Sequence, residues 1–209
     1  MYTVTDRVSN PFGFSPDCER FVPGYGDVNA AFHVIGDHPG MHGGIDTQVP
    51  FSNAAGHRLL GVLAAAGLLE SADVPPTVGE TYLSYLHLCV TETAVPSHRS
   101  YLACEPFIDA EVRAIAAHVL IPVGQRATEY VLRTHSAQAR RLPAGMSQLH
   151  ATEIAGNGFL IMPVAEPAGW SEADAQALTD ALVELQATDY RREADLGRFL
   201  AEGGPYFVR

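Results

Sequence analysis

Four short apolar segments, separated by stretches with helical patterns, constrain the fold of this chain more than any other feature. They are "AAFHVIG" (30–36), "TYLSYLHLC" (81–89), "HVLIPVG" (118–124) and "GFLIMPVA" (158–165). Near-continuous apolar runs of this length are typical of strands that are covered on both faces. Strands that alternate with helices predict an α/β fold. We expect a three-layer α/β/α sandwich around a central four-stranded, mainly parallel sheet.

The helices between these strands are predicted from their start signals. Ser52 is placed to cap a helix that reaches Leu69, and Pro106 is placed as a first-turn proline. A third helix follows Gly124, and Ser171 with an acidic first turn begins a fourth.

Length and composition predict a single globular domain over residues 1–209. Hydrophobic residues make up 47% of the chain and charged residues 18%. The longest apolar run, 59–69, has 11 residues, too few for a bilayer, which needs about 20. The first ten residues lack the pattern of a secretion signal. We expect a cytoplasmic, monomeric protein without a membrane partner.

The charge balance is unusual and ordinarily argues against nucleic acid as a partner. There are 24 acidic residues against 13 basic ones, every basic residue is arginine, and the net charge is −11. An acidic, lysine-free surface predicts a halophilic protein, while a GC-rich genome is the alternative explanation for the missing lysine. In molar salt the Debye length falls to about 3 Å, so the acidic charge argues less strongly against binding DNA.

Three cysteines, Cys18, Cys89 and Cys104, are widely separated in the sequence. Disulfides are rare in the cytosol, so we expect none here. The cysteines are either small buried apolar residues or ligands of a metal or cluster.

Ligands of open parallel sheets bind beyond the carboxyl ends of the strands. That rule places four segments around one cleft: "GDHPG" (36–40), the region after Cys89, Gly124 with Gln125, and "AEP" (165–167).

Several motifs occur in the order found in a known family. They are "GYGDVNAAFHVIGDHPG", "VPFSNAAG", "YLSYLHLC", "CEPFIDAEVRAI", "VLIPVGQRA" and "MPVAEP". Over residues 23–167 the chain resembles the iron–sulfur class of the uracil-DNA glycosylase superfamily. The resemblance implies that the chain binds DNA and hydrolyses the N-glycosidic bond of a flipped-out deaminated base.

The resemblance also implies roles for residues of the turn after the first strand. Phe51 would stack on the base, and Asp37 would face the sugar or a water molecule. Gly36, Pro39 and Gly40 would shape the turn, and His38 could supply a proton. From the residues alone, Phe51 could equally be a core residue and Asp37 a turn cap.

The most serious departures from the family pattern are at Tyr85 and Glu166. The residue that reads the base, an asparagine in the family, falls on Tyr85, which lacks a paired donor and acceptor but could fill the pocket. The catalytic histidine falls on Glu166, which could help a departing anion only as a neutral donor. Trp170 stands where the family contacts DNA, and could instead pack on the surface.

The metal ligands are incomplete as well. Cys89 and Cys104 match two of four cluster ligands, and Cys18 is the only one left of the N-terminal pair. Three thiolates could hold a cluster with one open position. His87, Asp17 or His98 could complete a zinc site, or the site holds nothing.

Three functions remain open at this point. The first is a DNA glycosylase, and the second is a relative that binds nucleic acid or a nucleotide without cleaving it. The third is a metal-dependent hydrolase that uses His38, His42 and Asp46.

Overall fold

The computed structural model describes residue 4 and residues 7–199, except for the side chains at 142–144 and 196–199. The strands are β1 (Tyr25–Gly26), β2 (Phe32–Gly36), β3 (Thr81–Tyr85), β4 (Val119–Pro122), β5 (Ile154–Ala155) and β6 (Leu160–Ile161). They form one sheet with the order β1-β3-β2-β4-β6-β5.

The four predicted strands form the centre of this sheet, and they are parallel. β2 pairs with β3 on one side and with β4 on the other, and β4 pairs with β6. The predicted number of strands was wrong, because β1 and β5 add an antiparallel strand at each edge. Each edge strand has two residues, which is too short to leave a periodic pattern in the sequence.

Helices cover both faces of the sheet, which confirms the predicted α/β fold. Their bounds are α1 (Pro39–His42), α2 (Ala54–Ala65), α3 (His98–Ile115), α4 (Gly124–Thr134), α5 (Met146–Leu149), α6 (Glu172–Gln186) and α7 (Tyr190–Phe199). One apolar core joins the sheet to α2, α6 and α7, and the second joins its other face to α3, α4 and α5. Within the described ranges, no helix is both long enough and apolar enough to cross a bilayer.

Two predicted helix starts were wrong. Asn53, and not Ser52, caps α2, because the Asn53 side chain accepts the Gly56 N–H. Helix α3 begins after Ser97, whose hydroxyl accepts the Ser100 N–H, so Pro106 lies inside the helix.

The other two predicted starts agree with the structure. Helix α4 begins at Gly124. Ser171 caps α6 in a capping box, in which its hydroxyl accepts the Asp174 N–H and the Asp174 carboxylate accepts the Ser171 N–H.

Candidate active site

An open cleft of about 440 Å³ lies at the carboxyl ends of the parallel strands. The segment after β2 contributes Asp37 and Met41, the first turns of α4 contribute 124–126 and Glu129, and the segment after β6 contributes Glu166. Three of the four segments that the strand rule selected therefore line one cleft.

The Asp37 carboxylate is held from two sides at the edge of this cleft. Its Oδ1 accepts a hydrogen bond from the Tyr101 hydroxyl, and its Oδ2 lies 3.4 Å from Arg126 Nε. The Arg126 guanidinium also packs on the Tyr101 ring, 4.4 Å from its centroid. Burial, followed by the hydrogen bond to Asp37, raises the pKa of Tyr101 above its usual value, so the hydroxyl remains a donor. Asp37 is only 7% exposed, so its carboxylate is fixed in place.

The residues after Asp37 form a compact turn. His38 precedes the single turn of α1, in which Pro39 is the first residue and Gly40 the second. The His38 ring is buried, and that burial lowers its pKa below the usual value while the Asp37 charge opposes the shift. A Cβ atom on Gly40 would lie 3.0 Å from the His38 ring. Gly40 therefore gives the imidazole the space it occupies.

His42 links the backbone of this turn to Glu166. The His42 ring is fully buried, and its Nδ1 accepts the Asp37 N–H at 3.3 Å. Because that nitrogen accepts, the proton is on Nε2, which lies 3.0 Å from Glu166 Oε2. Glu166 therefore accepts a hydrogen bond in this position and does not act as the neutral donor that a departing anion would need.

Phe51 and Tyr85 are packed together behind His42. Phe51 is fully buried, Tyr85 is 2% exposed, and their ring centroids are 5.3 Å apart. The His42 ring lies 5.3 Å from Phe51 and 6.1 Å from Tyr85. The stacking face predicted for Phe51 is therefore covered in this conformation, and Tyr85 occupies the neighbouring space.

Gly36 makes room for these two rings. A Cβ atom at this position would come within 2.8 Å of both the Phe51 and the Tyr85 ring. The space beside Gly36 is thus occupied by two side chains of the protein itself, and the absence of a Cβ atom there is what allows them to approach.

Trp170 is buried and does not project toward solvent. It is 6% exposed, its indole N–H donates to the Ala165 carbonyl at 2.9 Å, and its ring packs against His150. Arg58 holds the Trp170 carbonyl from α2. In this structure Trp170 anchors the segment that carries Glu166.

The three cysteines are close together, and the expectation of no disulfide was wrong. Cys18 and Cys89 form a disulfide, and the Cys104 sulfur lies 3.9 Å from that of Cys89. Antiparallel pairing brings these regions together, because the Val22 N–H donates to Leu88 and the Val90 N–H donates to Arg20. Such pairing between distant segments cannot be deduced from cysteine spacing.

These residues do not fit an iron–sulfur cluster. A cluster of this kind takes four thiolates, whereas the chain has three cysteines and two of them are joined. The suggested additional ligands do not complete a site. Among the described residues, no group of three or more His, Cys, Asp or Glu side chains that includes His87, Asp17 or His98 is arranged to hold a metal ion.

The metal-dependent hydrolase also loses support. In the part of the chain that the structure describes, no group of three His, Cys, Asp or Glu side chains is arranged to hold a metal ion. Both ring nitrogens of His42 have partners, and Asp46 is exposed.

Comparison with known proteins identifies the family of this chain. The family described as the Uracil DNA glycosylase superfamily matches residues 23–186 of this chain. The chain belongs to this superfamily. The match contains the turn with Asp37, the paired rings of Phe51 and Tyr85, and Glu166.

Two curated relatives support the assignment to the uracil-DNA glycosylase superfamily. The chain is 25% identical over 148 residues to a type-4 uracil-DNA glycosylase of Saccharolobus solfataricus, covering 70% of the chain and 65% of the relative. It is 25% identical over 140 residues to a type-5 uracil-DNA glycosylase of Mycobacterium leprae, covering 63% and 61%. The chain thus spans less than two thirds of the length of either relative.

Sequence reasoning missed the two residues that hold Asp37. The helix start predicted from Pro106 leaves Tyr101 outside any helix, whereas α3 begins at His98 and contains it. Arg126 lies within "VGQRA", two residues after Gly124. A basic residue next to the carboxyl end of β4 was the signal that could have identified it.

Proposed function

We propose that this chain is a DNA glycosylase that hydrolyses the N-glycosidic bond of a deaminated base flipped out of DNA. The single observation that carries the proposal is the Asp37 carboxylate, held by Tyr101 and Arg126 at the edge of an open cleft. Family membership supplies the reaction class, and the geometry supports a role for Asp37 in it.

Breaking this bond leaves positive charge on the sugar and negative charge on the base. A fixed carboxylate near the sugar stabilises the first charge and can orient the attacking water. Tyr101 and Arg126 restrain Asp37 before substrate arrives, so little reorganisation is needed when the charge develops.

The structure gives weaker support for stabilisation of the negative charge on the departing nucleobase. Glu166 accepts a hydrogen bond from His42 Nε2, and it offers no donor to a departing base in this arrangement. Loss of one donor of this kind typically costs about 10²- to 10³-fold in rate. We therefore expect slow excision.

DNA binding in this proposal relies on short-range contacts at the cleft. Arg126 is half-exposed there although it pairs with Asp37, and the chain as a whole carries a net charge of −11. A cytoplasmic, halophilic, monomeric protein would bind DNA under strong screening, where hydrogen bonds and stacking matter more than net charge. Because the three cysteines do not fit an iron–sulfur cluster, the proposed reaction involves no such cofactor.

The covered Phe51 ring favours a second candidate, a relative that binds nucleic acid without cleaving it. Phe51 has no exposed surface, and Tyr85 fills the space beside it. A base that cannot enter this space would be bound only at the cleft and would keep its bond to the sugar.

The test is excision from end-labelled oligonucleotides that contain uracil or hypoxanthine, single- or double-stranded, at molar salt. Wild type, Asp37→Asn and Asp46→Asn are compared under single-turnover conditions. Asp46 is an exposed aspartate that does not line the cleft, so its variant controls for the loss of one negative charge.

The glycosylase is supported if wild type and Asp46→Asn form product and the rate of excision by Asp37→Asn is lower by about a hundredfold or more. The second candidate is supported if wild-type protein binds the labelled oligonucleotide and slows its migration but forms no product. Equal product from wild type and Asp37→Asn would show that Asp37 is not part of the reaction.

A further inference from the structure

The three cysteines border a second cavity of the protein, which is separate from the cleft. This cavity has a volume of about 380 Å³, and Cys18, Cys89 and Cys104 all contribute to its lining. Its lining residues do not overlap with those of the cleft. The Cys18–Cys89 disulfide and the Cys104 thiol therefore meet beside a space that a small molecule can enter.

The Cys104 sulfur is placed to attack this disulfide. It lies 3.9 Å from Cys89 Sγ. Burial raises the pKa of Cys104, and the backbone N–H groups of Cys89 and Leu88 oppose that shift by donating hydrogen bonds to the sulfur. A disulfide is attacked by a thiolate and not by a thiol. The two N–H groups therefore stabilise the form of Cys104 that reacts.

Cys18 is the member of the disulfide that can be released. It is partly exposed and borders the cavity, whereas the other two cysteines are at most 9% exposed. Backbone pairing holds the chain around Cys18 independently of the cross-link. The Val22 N–H donates to the Leu88 carbonyl at 2.8 Å, and the Val90 N–H donates to the Arg20 carbonyl at 2.8 Å. The cross-link can therefore move while this pairing remains.

We propose that Cys104 displaces Cys18 from the disulfide and that the released Cys18 thiol is a modification site for low-molecular-weight disulfides. In the first step the Cys104 thiolate attacks Cys89 Sγ, so the Cys89–Cys104 bond forms and the Cys18–Cys89 bond breaks. Cys18 takes up the proton that Cys104 gave up, and no oxidant or reductant is consumed. In the second step the Cys18 thiolate attacks a disulfide RS–SR, which forms a mixed disulfide of Cys18 with one RS group and releases the other as RSH.

Exchange transfers the cross-link from the N-terminal segment to α3. Tyr101, which holds Asp37, lies three residues before Cys104 on this helix. The His87 ring, two residues before Cys89, lies 5.2 Å from the Tyr101 ring. The new disulfide therefore joins two segments that already pack together at Tyr101. The exchange itself involves neither DNA nor cleavage, so the inference does not rest on the proposed function.

The test is incubation of the native wild-type protein with oxidised glutathione at mildly alkaline pH, followed by acid quenching and peptide mapping without reduction. We expect a glutathionyl group on Cys18 together with a disulfide between Cys89 and Cys104. Cys104→Ser is the matched control, because it keeps the original disulfide and lacks the attacking thiol. The adduct on Cys18 should be lost in this variant.

An adduct on Cys104 with the original disulfide retained, or no adduct on wild type, would overturn the proposal. An equal yield of adduct on Cys18 in wild type and Cys104→Ser would overturn it as well, since glutathione would then open the disulfide directly.

Cys18→Ser decides the question if Cys104→Ser does not fold. In this variant oxidised glutathione should join Cys89 to Cys104 and be reduced to two molecules of glutathione. Free thiols or glutathionyl groups at these two positions would contradict the inference, because they would show that Cys104 does not pair with Cys89.

Discussion

Asp37 and Glu111 are both buried carboxylates that accept a hydrogen bond from a tyrosine hydroxyl, and their surroundings differ. Tyr101 donates to Asp37, and Tyr82 donates to Glu111 at 2.9 Å. Asp37 has a guanidinium beside it and lies at the edge of the open cleft. Glu111 lies inside the protein on α3, 5% exposed.

The surroundings of the two carboxylates decide which of them is suited to take part in the reaction. Burial raises the pKa of Glu111 to about 8, and hydrogen bonds from Tyr82 and Ser84 oppose that shift only in part. Glu111 is therefore mainly protonated at neutral pH and serves the interior packing. Asp37 differs in two respects: Arg126 restrains its carboxylate, and it lines the open cleft, where a sugar can reach it.

The largest expected effect separates the two carboxylates by activity. Asp37→Asn should lower the rate of excision by about a hundredfold or more, because the developing charge on the sugar loses its counter-charge. Glu111→Gln should excise at the wild-type rate at pH 7, since the interior carboxyl is already neutral there. The comparison is made by single-turnover excision. Loss of activity in both variants, despite normal circular dichroism, would mean that the interior carboxyl also contributes to the reaction.

The second prediction concerns stability and pH. Glu111 has a folded pKa of about 8 and an ordinary value of 4.5 when unfolded, so the folded protein binds the proton more tightly. Stability is therefore lost as the pH rises from 4.5 through 8. Between pH 6.5 and 8, wild type should lose roughly 2 kcal/mol of unfolding free energy relative to Glu111→Gln, which cannot titrate.

Urea unfolding of both proteins across this range measures the difference. Below pH 6.5 buried histidines also contribute, and burial lowers the pKa of His33, for example, to about 3. That shift makes both proteins less stable as acid is added, and the effect cancels in the comparison. If the unfolding free energies of wild type and Glu111→Gln changed in parallel between pH 6.5 and 8, the loss of stability would not come from Glu111.

Much of the fold could be predicted from the sequence because it depends on local patterns. The four central strands are apolar runs, and the cap of α6 is a local motif around Ser171. The edge strands could not be predicted, since each has only two residues and β1 also depends on pairing with β3, which is distant in sequence. The start of α3 at Ser97 competed with a stronger local signal at Pro106.

The site could be predicted only in part, for the same reason. The motif around Asp37 located the cleft, but burial and pairing decide what each side chain does. Nothing local distinguishes Glu111 from an exposed glutamate on a helix, and the sequence does not reveal that Tyr85 bonds to the Phe51 backbone. The disulfide between Cys18 and Cys89 likewise depends on strand pairing over 71 residues.

The smallest expected effect separates the two tyrosines that serve these carboxylates. Tyr101→Phe should lower the rate constant of excision by about tenfold with little change in KM, because Asp37 loses one restraining hydrogen bond while Arg126 remains. Tyr82→Phe should instead lower the unfolding free energy by about 1–3 kcal/mol and leave excision unchanged, since it removes the partner of a sealed carboxyl. Steady-state kinetics and urea unfolding of both variants test the pair. If Tyr101→Phe lost stability and kept full activity, its hydroxyl would be a packing contact like that of Tyr82, and the distinction between the two carboxylates would depend on Arg126 and water access alone.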